Sequence, residues 1–157
     1  ATESLPVANM GSPEILRETR FLTEQGLGVC VGRSAPEVRV AIIPISDTPI
    51  PEYDPKMDLP TGTIGEIAVS GPIVTREYFE KPEATNLAKM RDSSGEIWHR
   101  MGDLGYLDSQ GRLWFCGRKS HRVVLENETL FTIPCEGIFN THQAVYRTAL
   151  VGAKVKG

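Results

Sequence analysis

Residues 98–118, WHRMGDLGYLDSQGRLWFCGR, decide how the fold is interpreted. Bulky, β-prone residues lie on both sides of the polar segment 108–111, so the stretch predicts a strand, a turn and a second strand. These bulky residues are Trp98, Tyr106, Leu107, Leu113, Trp114 and Phe115. Asp103 and Arg118 each follow a glycine. An acid and a base beside a hairpin could hold a polyhydroxylated ligand, or they could be ordinary hairpin residues.

Bulk composition places the chain among ordinary soluble domains. It has 157 residues, enough for one domain or for a small domain and part of another. Hydrophobic residues make up 40%, which allows a packed core. The net charge of -3 gives no reason to expect nucleic acid or an anionic membrane as a partner. The local basic cluster at residues 118–122 is the exception.

Cysteine usage and hydropathy indicate a cytoplasmic protein. Cys30, Cys116 and Cys135 are widely spaced and odd in number, which disfavours both a zinc site and a disulfide framework. No apolar run approaches the roughly 20 residues that a membrane-spanning helix needs. We therefore predict reduced thiols and no membrane span.

Turn signals divide the remaining sequence into short elements. Strands are predicted at 38–45, 64–70, 123–125, 130–133 and 146–151. Helices are predicted at 12–20, from Pro82 and from Pro134, a glycine-rich turn at 26–32, and a proline-rich surface loop at 48–62. We recognise no internal repeat. The pattern predicts a mixed α+β, strand-rich fold.

Neither end of the chain is typical of a complete protein. The sequence opens on Ala1-Thr2-Glu3 without a methionine and stops at Gly157, just after the predicted last strand. We therefore expect a piece of a longer protein.

The chain contains no complete catalytic device. It has no GxxxxGK phosphate loop, no HExxH helix and no GxSxG nucleophile turn. His99, His121 and His142 are scattered, and we interpret them as surface or hairpin residues rather than as ligands or bases.

Several blocks together resemble the adenylate-forming superfamily of acyl-CoA ligases, luciferases and peptide-synthetase adenylation domains. The opening Ala1-Thr2-Glu3 resembles the end of its YGxTE motif, and Gly102-Asp103 resembles its (T/R)GD motif. Gly117-Arg118 resembles the GR that opens the interdomain hinge, and Glu136 falls on the last glutamate of the block after the hinge. A further block, GEl…G…GY…P…T, is matched by Gly65-Glu66-Ile67, Gly71, Tyr78, Pro82 and Thr85.

The resemblance implies a role for each of four residues. Asp103 would accept hydrogen bonds from the ribose hydroxyls of ATP, and Arg118 would approach the ribose or α-phosphate. Thr2 would donate its hydroxyl to the α-phosphate. Glu3 would bind Mg²⁺, a cation that prefers carboxylate and water oxygens. The alternatives are a polar turn for Asp103, a hinge salt bridge for Arg118, and a frayed terminus for Thr2 and Glu3.

Two departures from the family pattern point to a branch. Ser120 stands at the hinge position, where the family usually has Asp or Lys, and the loop at 125–132 lacks the glycines typical of acyl-CoA ligases. These departures leave open whether coenzyme A is the second substrate. The segments FCGRKSHRV and LFTIPCEGIFN most resemble the β-lactone synthetase branch of bacterial olefin biosynthesis.

The same resemblance implies the domain organisation and the activity. Residues 1–117 would be the β-barrel-like end of a large adenylation domain, residues 118–121 the hinge, and residues 122–157 the start of a small α+β domain. The parent would use ATP and Mg²⁺ to activate a carboxylic acid, such as a fatty or β-hydroxy fatty acid. This piece alone would be inactive. The alternative is a stand-alone, non-catalytic β-module that binds a nucleotide or a protein.

Overall fold

A computed structural model describes residues 2–153 of the chain. Its centre is a curled, antiparallel sheet of seven strands. The strands are β1 (Ala8–Asn9), β2 (Val29–Ser34), β3 (Arg39–Ile43), β4 (Gly65–Ser70), β5 (Lys89–Arg91), β6 (Ile97–Leu107) and β7 (Leu113–Arg118). Their order in the sheet is β1-β2-β7-β6-β4-β3, with β5 also paired to β6. A separate short ladder joins β8 (Val123–Val124) to β9 (Thr129–Leu130). The predicted strand-rich α+β class is confirmed.

The hairpin predicted at 98–118 forms the middle of this sheet. From Leu107 opposite Leu113, the pairing runs regularly to Gly105 opposite Phe115. The register then shifts by one residue on β7, so that Asp103 lies opposite Arg118. Such a bulge leaves one residue unpaired and bends the strand.

A short sequence repeat, which the sequence analysis missed, builds two equivalent turns. We call residues 92–98 (DSSGEIW) and 108–114 (DSQGRLW) the Asp-Trp turns. In each, one aspartate oxygen accepts the backbone N–H groups two and four residues later. The other oxygen accepts the indole N–H six residues later, at 3.3 Å in the first turn and 2.9 Å in the second.

The apolar interior has two clusters on the two sides of the sheet strands. Alternate residues of a strand face opposite sides, so β3 and β4 contribute to both clusters. One cluster holds Ala41, Ile43, Tyr53, Ala68, Met90 and Trp98. The other holds Ile42, Ile67, Val69 and Leu113.

Short helices pack against strands of the sheet. The segment 12–24 consists of α1 (Ser12–Glu14), a π-helical turn (Ile15–Thr19) and α2 (Arg20–Glu24). Two others are α3 (Pro82–Ala88) and α4 (Thr132–Phe139), and single 3₁₀ turns occur at Pro55–Met57 and Lys119–His121.

Helix α4 packs closely against α2 and the turn that follows it. A Cβ added to Gly137 would lie 2.8 Å from the Thr23 carbonyl oxygen, and one added to Gly26 would lie 2.7 Å from Ile138 Cδ1. A side chain at Gly137 would therefore push α4 away from α2, whereas one at Gly26 would first displace the Ile138 side chain.

Three sequence expectations need correction. The predicted strand at 146–151 is irregular, because side chains take its amides: Thr148 N–H donates to Asn140 Oδ1 and Leu150 N–H donates to Glu136 Oε1. The strand predicted at 130–133 ends at Leu130, and α4 starts at Thr132 rather than at Pro134.

The third correction concerns the glycine-rich turn predicted at 26–32. Its second half belongs to β2, where Gly32 lies at a register shift. A Cβ there would collide with the Asn9 carbonyl. Glycine is needed because β1 approaches too closely for any side chain.

Within residues 2–153, no helix combines the length and the apolar character required to cross a bilayer.

Candidate functional site

Asp103 and Arg118 form an ion pair across the central hairpin. Arg118 Nη1 lies 2.8 Å from Asp103 Oδ1. The Asp103 side chain is 18% exposed, whereas that of Arg118 is 55% exposed. Burial raises the pKa of the Asp103 carboxyl, and the charge and hydrogen bond of Arg118 partly offset this rise. The pair therefore presents a partly desolvated acceptor beside an accessible fork of donors.

Glycines precede both charged residues for different reasons. Gly102 has φ of +66° with nothing within 4 Å of an added Cβ, so only its backbone conformation favours glycine. Gly117 has φ of +123°, and an added Cβ would lie 2.2 Å from Thr132 Oγ1. The start of α4 is thus held directly against the end of β7, one residue before Arg118.

The N-terminal residues lie beside this pair. Ser4 and Asp103 both line a cavity of about 220 Å³, whose other walls include Met101 and Phe115. Ser4 is fully buried, and its hydroxyl has no hydrogen-bond partner among the described residues. The charge of Glu3 also acts on Asp103. The structure therefore brings Ser4 and the predicted residue Glu3 into the surroundings of Asp103, about a hundred positions away along the chain.

Glu3 is held by a residue to which sequence reasoning gave no role. Tyr78 donates its hydroxyl to Glu3 Oε1 at 3.1 Å, and Thr2 Oγ1 lies 3.4 Å from Glu3 Oε2. The backbone amide of Glu3 lowers the pKa of its carboxyl; burial acts against this effect, and the Tyr78 hydrogen bond adds to it. The signal available in the sequence was the place of Tyr78 in the GY block.

His99 lies in the hairpin as expected, but it is buried rather than at the surface. Its exposed fraction is 2%, and Nδ1 lies 3.3 Å from the Ala88 carbonyl oxygen. Burial and the charge of Lys89 lower the pKa of His99 to about 4. The ring is therefore neutral at pH 7, which suits a packing role.

The described residues offer no ready-made metal cage. Between residues 2 and 153, no three His, Cys, Asp or Glu side chains converge on one point. A magnesium ion at Glu3 would need its other ligands from water and from substrate oxygens, an arrangement that Mg²⁺ commonly uses.

The predicted hinge is anchored to the sheet. Ser120 is exposed, in the middle of the 3₁₀ turn Lys119–His121. Lys119 Nζ donates to Glu66 Oε1 at 2.9 Å and to the Ser46 carbonyl at 2.8 Å. Arg122 pairs with Asp47 on the other side of the turn. Both flanks of Ser120 are thus tied to the loop that begins at Ser46.

Glu66, the glutamate of the GE block, sits at the centre of this anchor. Its side chain is 1% exposed, and Oε2 accepts from Arg100 Nη2 at 2.7 Å. Arg100 also donates to the carbonyls of Thr48 and Leu87. A buried carboxylate needs such partners, and Glu66 has two of them, Arg100 and Lys119. Glu136, the other motif glutamate, accepts the Leu150 amide at 3.0 Å.

Comparison with solved structures identifies the class of this fold. The O-succinylbenzoate coenzyme A synthetase of Bacillus subtilis, in complex with AMP, superposes with a TM-score of 0.63 at 26% identity, over 81% of this chain and 23% of that one. The amide bond synthetase of Marinactinospora thermotolerans gives a TM-score of 0.63 at 30% identity, over 79% of this chain and 23% of that one. The chain is homologous to a segment of the adenylate-forming ligases.

Sequence comparison shows which ligases of known sequence are similar to this chain. The olefin β-lactone synthetase of Stenotrophomonas maltophilia is 48% identical over 161 residues, which is all of this chain and 29% of that protein. The 2-succinylbenzoate–CoA ligase of Bacillus cytotoxicus is 35% identical over 101 residues, covering 64% of this chain and 20% of that protein. No protein-family model matches the chain. The chain thus spans less than a third of the length of these relatives.

Proposed function

We propose that this chain is a nucleotide-binding segment of an ATP-dependent ligase that activates a carboxylic acid as its acyl adenylate. The observation that carries the proposal is the Asp103–Arg118 pair, with Glu3 near enough for its charge to act on Asp103. The likeness to olefin β-lactone synthetases, to a CoA ligase and to an AMP-bound synthetase supports it.

The donor and acceptor groups of the site fit a nucleotide. Asp103 can accept hydrogen bonds from both hydroxyls of a ribose, since a carboxylate has two oxygens and about four lone-pair positions. Arg118 is accessible enough to turn from Asp103 to a phosphate or ribose oxygen. The Ser4 hydroxyl, which lines the same cavity as Asp103, is buried and has no hydrogen-bond partner among the described residues, so it could bond to a ligand there.

The chemical demand on the site is control of charge. An anionic carboxylate must approach an anionic phosphate, and fixed donors and cations offset their repulsion. Arg118 and the Thr2 hydroxyl would supply donors at the α-phosphate. Glu3 would hold Mg²⁺, which supplies positive charge when bound.

We also propose the substrate and the domain movement by likeness to the relatives. The β-lactone synthetase likeness supports a fatty or β-hydroxy fatty acid as the substrate. The stretch at 118–121, with Ser120 exposed at its centre, is proposed as the hinge between residues 1–117 and 122–157. Hinge movement would require Lys119 to leave Glu66.

The test is Asp103→Ala in the full-length ligase that contains this segment, with Asp54→Ala as the matched control. Asp54 is an exposed aspartate that caps the 3₁₀ turn at Pro55–Met57. We expect the Asp103 change to raise the KM for ATP. It should also cut the pyrophosphate release that depends on the carboxylic acid substrate by about a hundredfold or more. Release at the wild-type rate would contradict the proposal.

A product assay separates the possible second steps. The full-length enzyme is given ATP and a β-hydroxy fatty acid, with and without coenzyme A. We expect a β-lactone in both reactions. A thioester formed only when coenzyme A is present would assign the enzyme to the CoA ligases instead.

A further inference from the structure

We propose that Tyr78 is a positioning residue that fixes the Glu3 carboxylate for a divalent cation. This inference rests on the proposed function, in which Glu3 is the metal ligand. It adds a second residue, 75 positions away along the chain, to the part of the site that meets the metal.

Tyr78 is itself held on several sides. Its backbone N–H donates to Thr85 Oγ1 at 3.0 Å. The Lys89 ammonium lies 5.7 Å from the centre of its ring, and the His99 ring meets it edge-on with centroids 6.4 Å apart. The hydroxyl is therefore presented by a half-buried side chain whose backbone is held by Thr85 and whose ring packs against Lys89 and His99.

The loop that carries Tyr78 also holds the main chain of Glu3. The Thr75 N–H donates to the Glu3 carbonyl at 3.0 Å. Lys89 Nζ donates to Thr75 Oγ1 at 3.1 Å, which fixes the same loop from the other side. Both the backbone and the side chain of Glu3 are thus positioned by residues 75–78.

This arrangement divides the two carboxylate oxygens of Glu3. Oε1 accepts from Tyr78, whereas Oε2 accepts only a longer, exposed hydrogen bond from the Thr2 hydroxyl at 3.4 Å. Because the hydrogen bond from Thr2 is long and exposed, Oε2 is the oxygen that a cation would more readily reach. Tyr78 thereby lowers the orientational freedom that Glu3 would otherwise lose when it binds the ion.

The experiment is Tyr78→Phe in the full-length ligase, with Tyr146→Phe as the matched control because Tyr146 is fully exposed. Two quantities are measured: the Mg²⁺ concentration dependence of pyrophosphate release, and Mn²⁺ binding by electron paramagnetic resonance with α,β-methylene-ATP, which releases no pyrophosphate. Losing one hydrogen bond to a charged group should raise both the Mg²⁺ concentration that gives half-maximal pyrophosphate release and the Kd for Mn²⁺ by about five- to tenfold. The KM for the acid should not change.

Glu3→Gln and the Glu3→Gln/Tyr78→Phe double variant complete a cycle. If Tyr78 acts through Glu3, the double variant binds Mn²⁺ no more weakly than Glu3→Gln. Additive losses, or wild-type Mn²⁺ affinity in Tyr78→Phe, would overturn the inference. If Glu3→Gln leaves Mn²⁺ binding unchanged, the metal role of Glu3 and this inference both fail, whereas the Asp103→Ala result tests the ligase function separately.

A second variant covers the case in which Tyr78→Phe does not fold. Thr85→Val removes the acceptor of the Tyr78 amide and leaves the phenol in place. It should weaken Mn²⁺ binding in the same direction but by less. Mn²⁺ affinity equal to wild type in this folded variant would count against a positioning role.

Discussion

The two Asp-Trp turns share a sequence pattern and a hydrogen-bond pattern, yet they differ in where their arginine comes from. Trp98 stacks on Tyr53 and lies under Arg39, a residue of β3 that is 51% exposed. Trp114 stacks on Tyr106 and lies near Arg112, which belongs to the turn itself.

This difference changes what each aspartate stabilises. Arg112 is 7% exposed, and its Nε donates to Asp108 Oδ2 at 2.7 Å. In the first turn the equivalent position is Glu96, which is exposed and pairs with Arg39. The same local motif therefore supports a buried cation in one place and a surface ion pair in the other. Sequence likeness in a turn does not imply an equal contribution to stability.

The largest effect should come from Asp108→Asn. This change keeps the shape of the turn but removes the shortest ion pair of the buried Arg112, which then retains only Glu18 and Glu14, so we expect a loss of about 2 kcal/mol in the free energy of unfolding. Asp92→Asn, the matched change, should cost less because Arg39 is half exposed and keeps its pair with Glu96. Urea unfolding of both variants measures the difference. Equal losses would show that the buried arginine adds nothing.

Acid should weaken both turns over the same range. Burial of Asp108 opposes its ionisation, but hydrogen bonds from Trp114, Arg112 and Gln110 outweigh this and lower its pKa to about 2. At Asp92, the Ser94 hydroxyl is the main cause of a pKa of about 2.

A lowered pKa in the folded state stabilises the fold above the unfolded value of about 3.9, and this contribution is lost as the pH falls through about 2. Unfolding midpoints should therefore decrease between about pH 4 and pH 2. Asp108→Asn should show a shallower decrease than the wild type. An unchanged slope would mean that Asp108 does not contribute.

The smallest effect should come from the glycines of the turns, and it should be equal in the two. Gly95 and Gly111 have φ of +81° and +71°, and an added Cβ would meet nothing within 4 Å. Alanine should therefore cost only the backbone strain, about 1 kcal/mol in each case. Melting curves of Gly95→Ala and Gly111→Ala test this expectation. A much larger loss in one of them would reveal a contact specific to that turn.

The sequence predicts which segments have strand composition, but it does not show which groups each backbone or side chain meets. The hairpin at 98–118 is set by bulky residues around one turn, and the strand ending at Ser70 is set by the following glycine. The segment 146–151 has strand composition, but Asn140 and Glu136 take its amides. Composition alone could not show this, because the competing acceptors lie on a preceding helix and the turn after it.

The candidate site shows the same limit. Motif resemblance selected Thr2, Glu3, Asp103 and Arg118; in the structure Asp103 pairs with Arg118, and the charge of Glu3 acts on Asp103. Tyr78 and Lys119 received no role, because their partners Glu3 and Glu66 are 75 and 53 positions away. Only the folded sheet shows that these side chains meet.

The bulge in β7 has a consequence for comparing homologous sequences. Cys116 is the residue without a partner, and it is fully buried, with a thiol pKa raised to about 12. The ion pair therefore has a spacing of 15 positions, although an unbulged hairpin would join the same two residues with one position fewer. In a relative without the bulge, the GD and GR motifs would be one position closer together, and an alignment that kept the spacing constant would misassign one of them. The spacing itself can show which relatives carry the extra residue.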